Sequence, residues 1–165
     1  MEPLKINVGT KYTLTHNGKN ISAAAGTYDV YLNYSNGTFY MVAAGAQDPT
    51  VNEPDDTWAI KGDVNNTQWK TDIYFEAAGD LLVVKNITFQ DSWSKGIEFK
   101  LLKNNQWVGA TESKKYQLGE SIALNNGDGN NLSVNATIGS ATYDIYLNVM
   151  KNCVCVVNAG AKPTI

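Results

Sequence analysis

The sequence predicts an all-β fold, an antiparallel β-sandwich with an immunoglobulin-like or Greek-key arrangement. Two observations carry this expectation. Short runs rich in Val, Ile, Tyr, Phe, Trp and Thr recur along the chain with turn residues between them, which is the spacing of a sandwich. No segment sustains the 3.6-residue apolar period of an amphipathic helix. Strands are expected at Trp58–Gly62, Trp69–Phe75, Leu81–Phe89, Gly96–Lys103, Gln106–Thr111, Ser121–Leu124, Asn131–Ala136, Thr142–Asn148 and Asn152–Val157. Alternation places Ile97, Phe99 and Leu101 in the core and turns Glu98, Lys100 and Leu102 outward. Trp58 alternates with Ile60 and is read as core. Closer to the start, Tyr28–Asn33 and Thr38–Val42 are expected to form a hairpin turning at Asn36-Gly37, a favoured two-residue dipeptide.

The 165 residues carry thirteen Lys, no Arg, one His and a net charge of -3. Nucleic acid is an unsuitable partner for such a chain, because phosphate binding draws on clustered Lys and Arg. With His16 as the only imidazole, His-based triads and zinc sites have little to build on. No cofactor and no metal is expected, and the loop Asn125–Asn131 reads as a turn because it lacks the carboxylate spacing of a calcium site. Cys153 and Cys155 flank Val154, so on a strand both point to one face in a geometry that disfavours a bond between them. They read as small buried hydrophobes. No apolar run is long enough to cross a membrane, and Met1-Glu2-Pro3-Leu4-Lys5 does not open a signal peptide.

The chain repeats itself. Residues 27–46 and 142–161 are identical at ten of twenty positions at an offset of 115. Gly18–Ser22 resembles Gly129–Ser133 at an offset of 111, and Val8-Gly9-Thr10 is taken to echo Val108-Gly109-Ala110-Thr111. A period this long indicates tandem domains, since solenoid repeats are much shorter. Residues 1–46 are therefore expected to be the C-terminal third of a preceding copy, 47–54 a Pro-containing linker, and 55–165 a complete domain. The shorter segment cannot bury a sufficient core alone and is expected to dock, pair with another chain or move.

The polar residues are mainly Asn, Gly, Thr and Ser, accompanied by nine Tyr and four Trp. Neutral hydrogen-bonding groups and flat rings suit a polyhydroxylated ligand. If Asn104-Asn105 is a two-residue hairpin turn, Leu102 pairs with Trp107 and Lys100 with Gly109. Trp107 and Lys100 then share the outward face beside open space over Gly109. An indole next to an ammonium can stack on a pyranose while Lys100, Asn104, Asn105 and Gln106 reach hydroxyls. Simple cross-strand cover of Leu102 by Trp107 would explain the same pattern. Trp69 sits at a loop–strand junction, and Trp93 lies in a polar, turn-forming stretch.

The ordered set Trp58-Ala-Ile-Lys-Gly62-Asp63, Trp69-Lys-Thr-Asp72, Leu82–Phe89, Glu98-Phe99-Lys100-Leu101 with Trp107, Gly129–Leu132 and Tyr143-Asp144-Ile145-Tyr146-Leu147 resembles the tandem starch-binding domains of the SusE and SusF type. The likeness covers residues 55–165 and, for the end of a domain, 10–46. It implies a surface-exposed outer-membrane lipoprotein of a nutrient-uptake system, partnered by other glycan-uptake proteins. It also implies a non-catalytic β-sandwich that holds starch or a related α-glucan between two aromatic side chains. Carried over, Trp69 and Trp107 would form the aromatic cradle and Lys100 would donate to hydroxyls, with Trp93 able to replace either ring. The first copy has no Trp, and Asn7 is aligned with Trp107, so no binding is expected there. A spacer module with no functional glycan site is the alternative. A glycoside hydrolase would need two carboxylates flanking a cleft, with Glu98 and Asp63 or Asp72 the nominees.

Overall fold

The computed structural model describes residues 2–15, 17–49, 55–90, 97–125 and 127–165. The fold is all-β. The chain divides into two compact units, Met1–Asp55 with Val149–Lys151, and Asp56–Asn148 with Asn152–Ile165.

In the first unit β1 (Leu4–Lys5) pairs with β3 (Ile21–Ser22), and β5 (Thr38–Ala43) lies between β2 (Lys11–Thr13) and β4 (Tyr28–Asn33). Ile6, Phe39 and Met41 form its small buried centre, with Tyr12, Leu14, Tyr28 and Leu32 packed against it. The β4–β5 hairpin pairs Asn33 with Thr38. Its connection is thus the four residues Tyr34–Gly37, longer than the two-residue turn that Asn36-Gly37 suggested. The Asn33 and Asn36 side chains explain the difference. Asn33 Oδ1 accepts from the Ser35 amide at 3.0 Å and Asn36 Oδ1 from the Thr38 amide at 3.1 Å, which stabilises the wider loop.

The second unit contains β6 (Trp58–Gly62), β7 (Ile73–Tyr74), β8 (Glu76–Ala78), β9 (Leu81–Ile87), β10 (Glu98–Lys103), β11 (Gln106–Ala110), β12 (Lys115–Tyr116), β13 (Ile122–Asn125), β14 (Leu132–Val134), β15 (Tyr143–Asn148) and β16 (Cys153–Asn158). They form one large, mostly antiparallel sheet, nearly closed into a barrel-like sandwich. Its order is β12-β14-β10-β11-β13-β16-β15-β9-β8, with β6 joining β10 to β7. Alternation is the cause: Ile60, Ile87, Phe99, Leu101, Ile122, Ile145 and Leu147 all point inward and are fully buried. Each such side chain contributes about 1.5–3 kcal/mol relative to exposure. Phe89 binds the two sides of this core, with ring centroids 5.9 Å from Phe99 and 5.3 Å from Tyr143. Trp58, Cys153 and Cys155 are also buried, and both thiols are free.

One expected strand is much shorter, and two strands are additional. The strand expected at Trp69–Phe75 is reduced to Ile73–Tyr74, because Gln68 and Trp69 adopt positive φ and form a turn. Strands β8 and β12 were not anticipated. They are short, and Glu76-Ala77-Ala78 and Lys115-Tyr116 carry too few β-branched residues to announce themselves.

The sequence repeat is also a repeat of geometry. Tyr28 pairs with Ala43 and Asn33 with Thr38; 115 residues on, Tyr143 pairs with Asn158 and Asn148 with Cys153. Upstream, the amides of Gly9 and Gly119 donate to the carbonyls of Met41 and Val156, each at 2.8 Å, and both glycines adopt nearly the same positive φ. Gly9 is therefore the counterpart of Gly119, and the expected match of Val8-Gly9-Thr10 with 108–111 is corrected. Asn7 accordingly takes the place of Gln117, not of Trp107: the amides of Thr10 and Glu120 donate to the carbonyls of Asn7 and Gln117. By this correspondence β1–β5 match β12–β16 one for one.

Candidate functional site

The outer face of β7-β6-β10-β11 presents a row of residues set by register. Tyr74 lies opposite Ala59, Ala59 opposite Leu102, and Leu102 opposite Trp107. Residues directly opposed across antiparallel strands share a face, so the row spans four strands, roughly 14 Å. Tyr74 at one end is 56% exposed and Trp107 at the other 38%, while Ala59 and Leu102 between them are covered. The β10–β11 turn is Asn104-Asn105, both at positive φ, and its register is the one the sequence suggested.

Trp69 reaches this row from a turn. Its amide donates to the Gly62 carbonyl at 3.1 Å, and the Thr67 hydroxyl donates to the Val64 carbonyl at 2.8 Å. Gly62 has no room for a side chain, since a Cβ there would lie 2.5 Å from the Glu98 carbonyl oxygen. Trp69 itself has φ +64°, a conformation that costs a bulky residue about 1–2 kcal/mol. Its indole Nε1 donates to Asp63 Oδ1 at 3.1 Å, which fixes the ring plane. The Trp69 and Trp107 centroids are 6.2 Å apart with planes inclined at 57°. The two tryptophans thus make an angled, half-exposed surface rather than a flat stack.

Beside the aromatic row lies a polar one. Lys61 and Lys100 are direct cross-strand partners. Two ammonium groups in that relation repel, and each is held by its own carboxylate: Lys61 Nζ by Asp72 Oδ1 at 2.9 Å, Lys100 Nζ by Asp128 Oδ1 at 2.6 Å. The expected open space over Gly109 is absent. A Cβ on Gly109 would collide with the carbonyl oxygens of Asn130 and Asp128, so the 128–130 backbone occupies the place. The same close approach delivers Asp128 to Lys100. Asn125 ends β13 and Asn130 bridges Ala110, so residues 127–129 carry a charge into the site; Asn126 lies outside the described residues. The Asp128 side chain remains 77% exposed.

The turn residues divide in role. Asn104 is committed to the fold: its Nδ2 donates to Asp56 Oδ1 at 2.7 Å, and its Oδ1 accepts from the Thr57 amide at 2.8 Å. It braces the chain entering β6. Asn105 and Gln106 are exposed. Next to them is a hollow of about 370 Å³ bounded by Lys103, Asn104, Gln106, Trp107 and Val108. Trp93 lies outside the described residues.

The nominated carboxylates are engaged elsewhere. Asp63 is buried and accepts the Trp69 indole, Asp72 holds Lys61, and Glu98 Oε2 accepts from Asn131 Nδ2 at 3.0 Å. Among the described residues no group of His, Cys, Asp or Glu could hold a metal ion, and no helix is long and apolar enough to cross a membrane.

Tyr74, Asp128 and Lys61 join the face without having been singled out beforehand, and Asp72, nominated only as a hydrolase carboxylate, joins it as the partner of Lys61. Tyr74 was legible in principle, because alternation with the inward Ile73 turns it outward. Asp128 left no sequence signal, being 28 residues from its partner. No protein-family model, no curated protein and no solved structure matches the chain.

Proposed function

We propose that the second unit binds starch or a related α-glucan without catalysis, as a module of a bacterial cell-surface nutrient-uptake system. The observation that carries this is the convergence of Trp69 and Trp107 at 6.2 Å beside the Lys100–Asp128 pair. Angled indoles match the curved apolar face of a helical glucan, and an adjacent ammonium and carboxylate can donate to and accept from vicinal hydroxyls. Tyr74 would extend the platform along the polymer. A single shallow face binds weakly, so tandem modules would gain retention through effective concentration. The likeness to SusE and SusF domains, if it extends to location, makes the chain part of an outer-membrane lipoprotein acting with other glycan-uptake proteins.

One observation favours a spacer module instead: Lys100 and Asn104 are already bonded to Asp128 and Asp56 within the chain. Two measurements separate the readings. Maltooligosaccharide should quench tryptophan fluorescence, and migration should slow in gels containing amylopectin, relative to gels with xyloglucan or no polymer. Trp107→Ala should abolish both effects. An unmodified chain that responds to no glucan would leave the spacer reading.

A further inference from the structure

The first unit displays an apolar face that the second unit, at matching positions, keeps entirely buried. Val30 is 64% exposed and Ile21 47%, whereas Ile145 and Leu132, their counterparts, are fully buried. Ile6, Leu14, Ile21, Val30, Leu32 and Met41 line an open cavity of about 300 Å³ in this unit. An apolar surface of this kind along a sheet edge is a pairing site.

What covers the matching face is seen in the second unit. Strand β9 pairs along β15, placing Val84 opposite Ile145, Val83 opposite Tyr146 and Leu82 opposite Leu147. Strand β10 places Phe99 opposite Leu132, and β11 places Ala110 opposite Leu124. The first unit has β1–β5 to match β12–β16, and among the described residues β4 pairs only with β5. A carboxylate contact is also shared by the two units. Asp29 Oδ2 accepts from the Gly45 amide at 2.7 Å just as Asp144 Oδ2 accepts from Gly160 at 2.8 Å. In the second unit the other oxygen, Asp144 Oδ1, accepts from the amide of Asn86, the positive-φ residue of β9, at 3.0 Å.

We infer that the first unit is an acceptor for β-strand addition, and that its occupant is a polypeptide segment of this same repeat with the strand pattern of β9–β11. The donor strand lies antiparallel to β4, its apolar residues fill the cavity over Val30 and Leu32, and its backbone completes the sheet. This inference is independent of glycan binding.

The 165-residue chain mixed with a peptide of residues 81–89, flanked by lysines for solubility, tests it by amide hydrogen exchange. The β4 amides at Asp29–Leu32 should slow by about tenfold or more. A scrambled peptide should leave them unchanged, and Val30→Lys, at an exposed position, should remove the protection while β5 exchange stays as it was. Unaltered β4 exchange at saturating peptide, or equal protection by the scrambled sequence, overturns the inference. So does protein that without peptide already self-associates by pairing β4 of one copy with β4 of another, because the occupant would then be a second acceptor edge and not a strand of the β9–β11 pattern.

Discussion

Asp144 accepts the Gly160 amide on one carboxylate oxygen, at 2.8 Å, and the Asn86 amide on the other, at 3.0 Å. It is a buried acidic residue tying the end of β16 to the irregularity in β9, where the β9–β15 register shifts. Its counterpart Asp29 makes the first of these bonds to Gly45. Conserved spacing between the two copies thus preserves a backbone clamp as well as an apolar pattern.

Asp144→Ala leaves the Asn86 and Gly160 amides without this acceptor and should cost about 1–3 kcal/mol. All four tryptophans lie in residues 58–107, so the denaturant midpoint followed by tryptophan fluorescence reports the second unit. A midpoint unchanged by the substitution would contradict the assigned role.

Gly109→Ala should be among the most damaging small changes. The added methyl group would collide with the backbone at 128–130, and relieving the clash requires moving the loop that carries Asp128. A loss of about 2–3 kcal/mol is expected, together with loss of the Lys100–Asp128 pair, observable as a shift in the Asp128 carboxyl resonance.

Trp69→Gly should be more stable than Trp69→Ala by about 1 kcal/mol, because φ +64° suits glycine and strains alanine. Both lose the indole. If the glucan site is real, both should also lose binding, so stability and binding separate in this pair of variants.

Asp128→Asn removes one charge from a pair whose acidic member is 77% exposed. Its stability cost should stay within about 1 kcal/mol. Glucan affinity should fall several-fold, roughly 1 kcal/mol, through loss of a charged hydroxyl partner. Unaltered glucan binding would restrict the site to its aromatic surface.

Burial pushes the Cys155 thiol up to about 11 from an ordinary 9.0. A raised folded-state value means that the folded chain holds its proton longer than the unfolded chain. This contribution to stability is complete below about pH 9 and is lost as pH rises toward 11. Cys155→Ala should flatten the alkaline limb of a stability–pH curve, and the native thiol should resist alkylation at pH 8. Rapid alkylation of the native protein at residue 155 would contradict its burial.

Much of the fold was legible because strand alternation is a local property. The span Trp58–Gly62 was read off directly, and the Leu102–Trp107 pairing followed from two asparagines able to take positive φ. The repeat, too, needed only self-comparison. What local pattern could not supply was anything set by a distant backbone. Trp69 looked like the start of a strand, yet hydrogen bonds to Gly62 and Asp63 make it a turn residue aimed at Trp107. Gly109 looked like open space, yet it is the seat of residues 128–130, 19–21 positions away. The match of Gly9 with Gly119 emerged only from the carbonyls they face. The sequence by itself determined the all-β class, the core-facing residues and the duplication, since these depend on side-chain period. Tertiary structure alone decided which rings meet, which lysine finds which carboxylate, and which copy keeps its apolar face covered, because each depends on strands brought together from far apart in the chain.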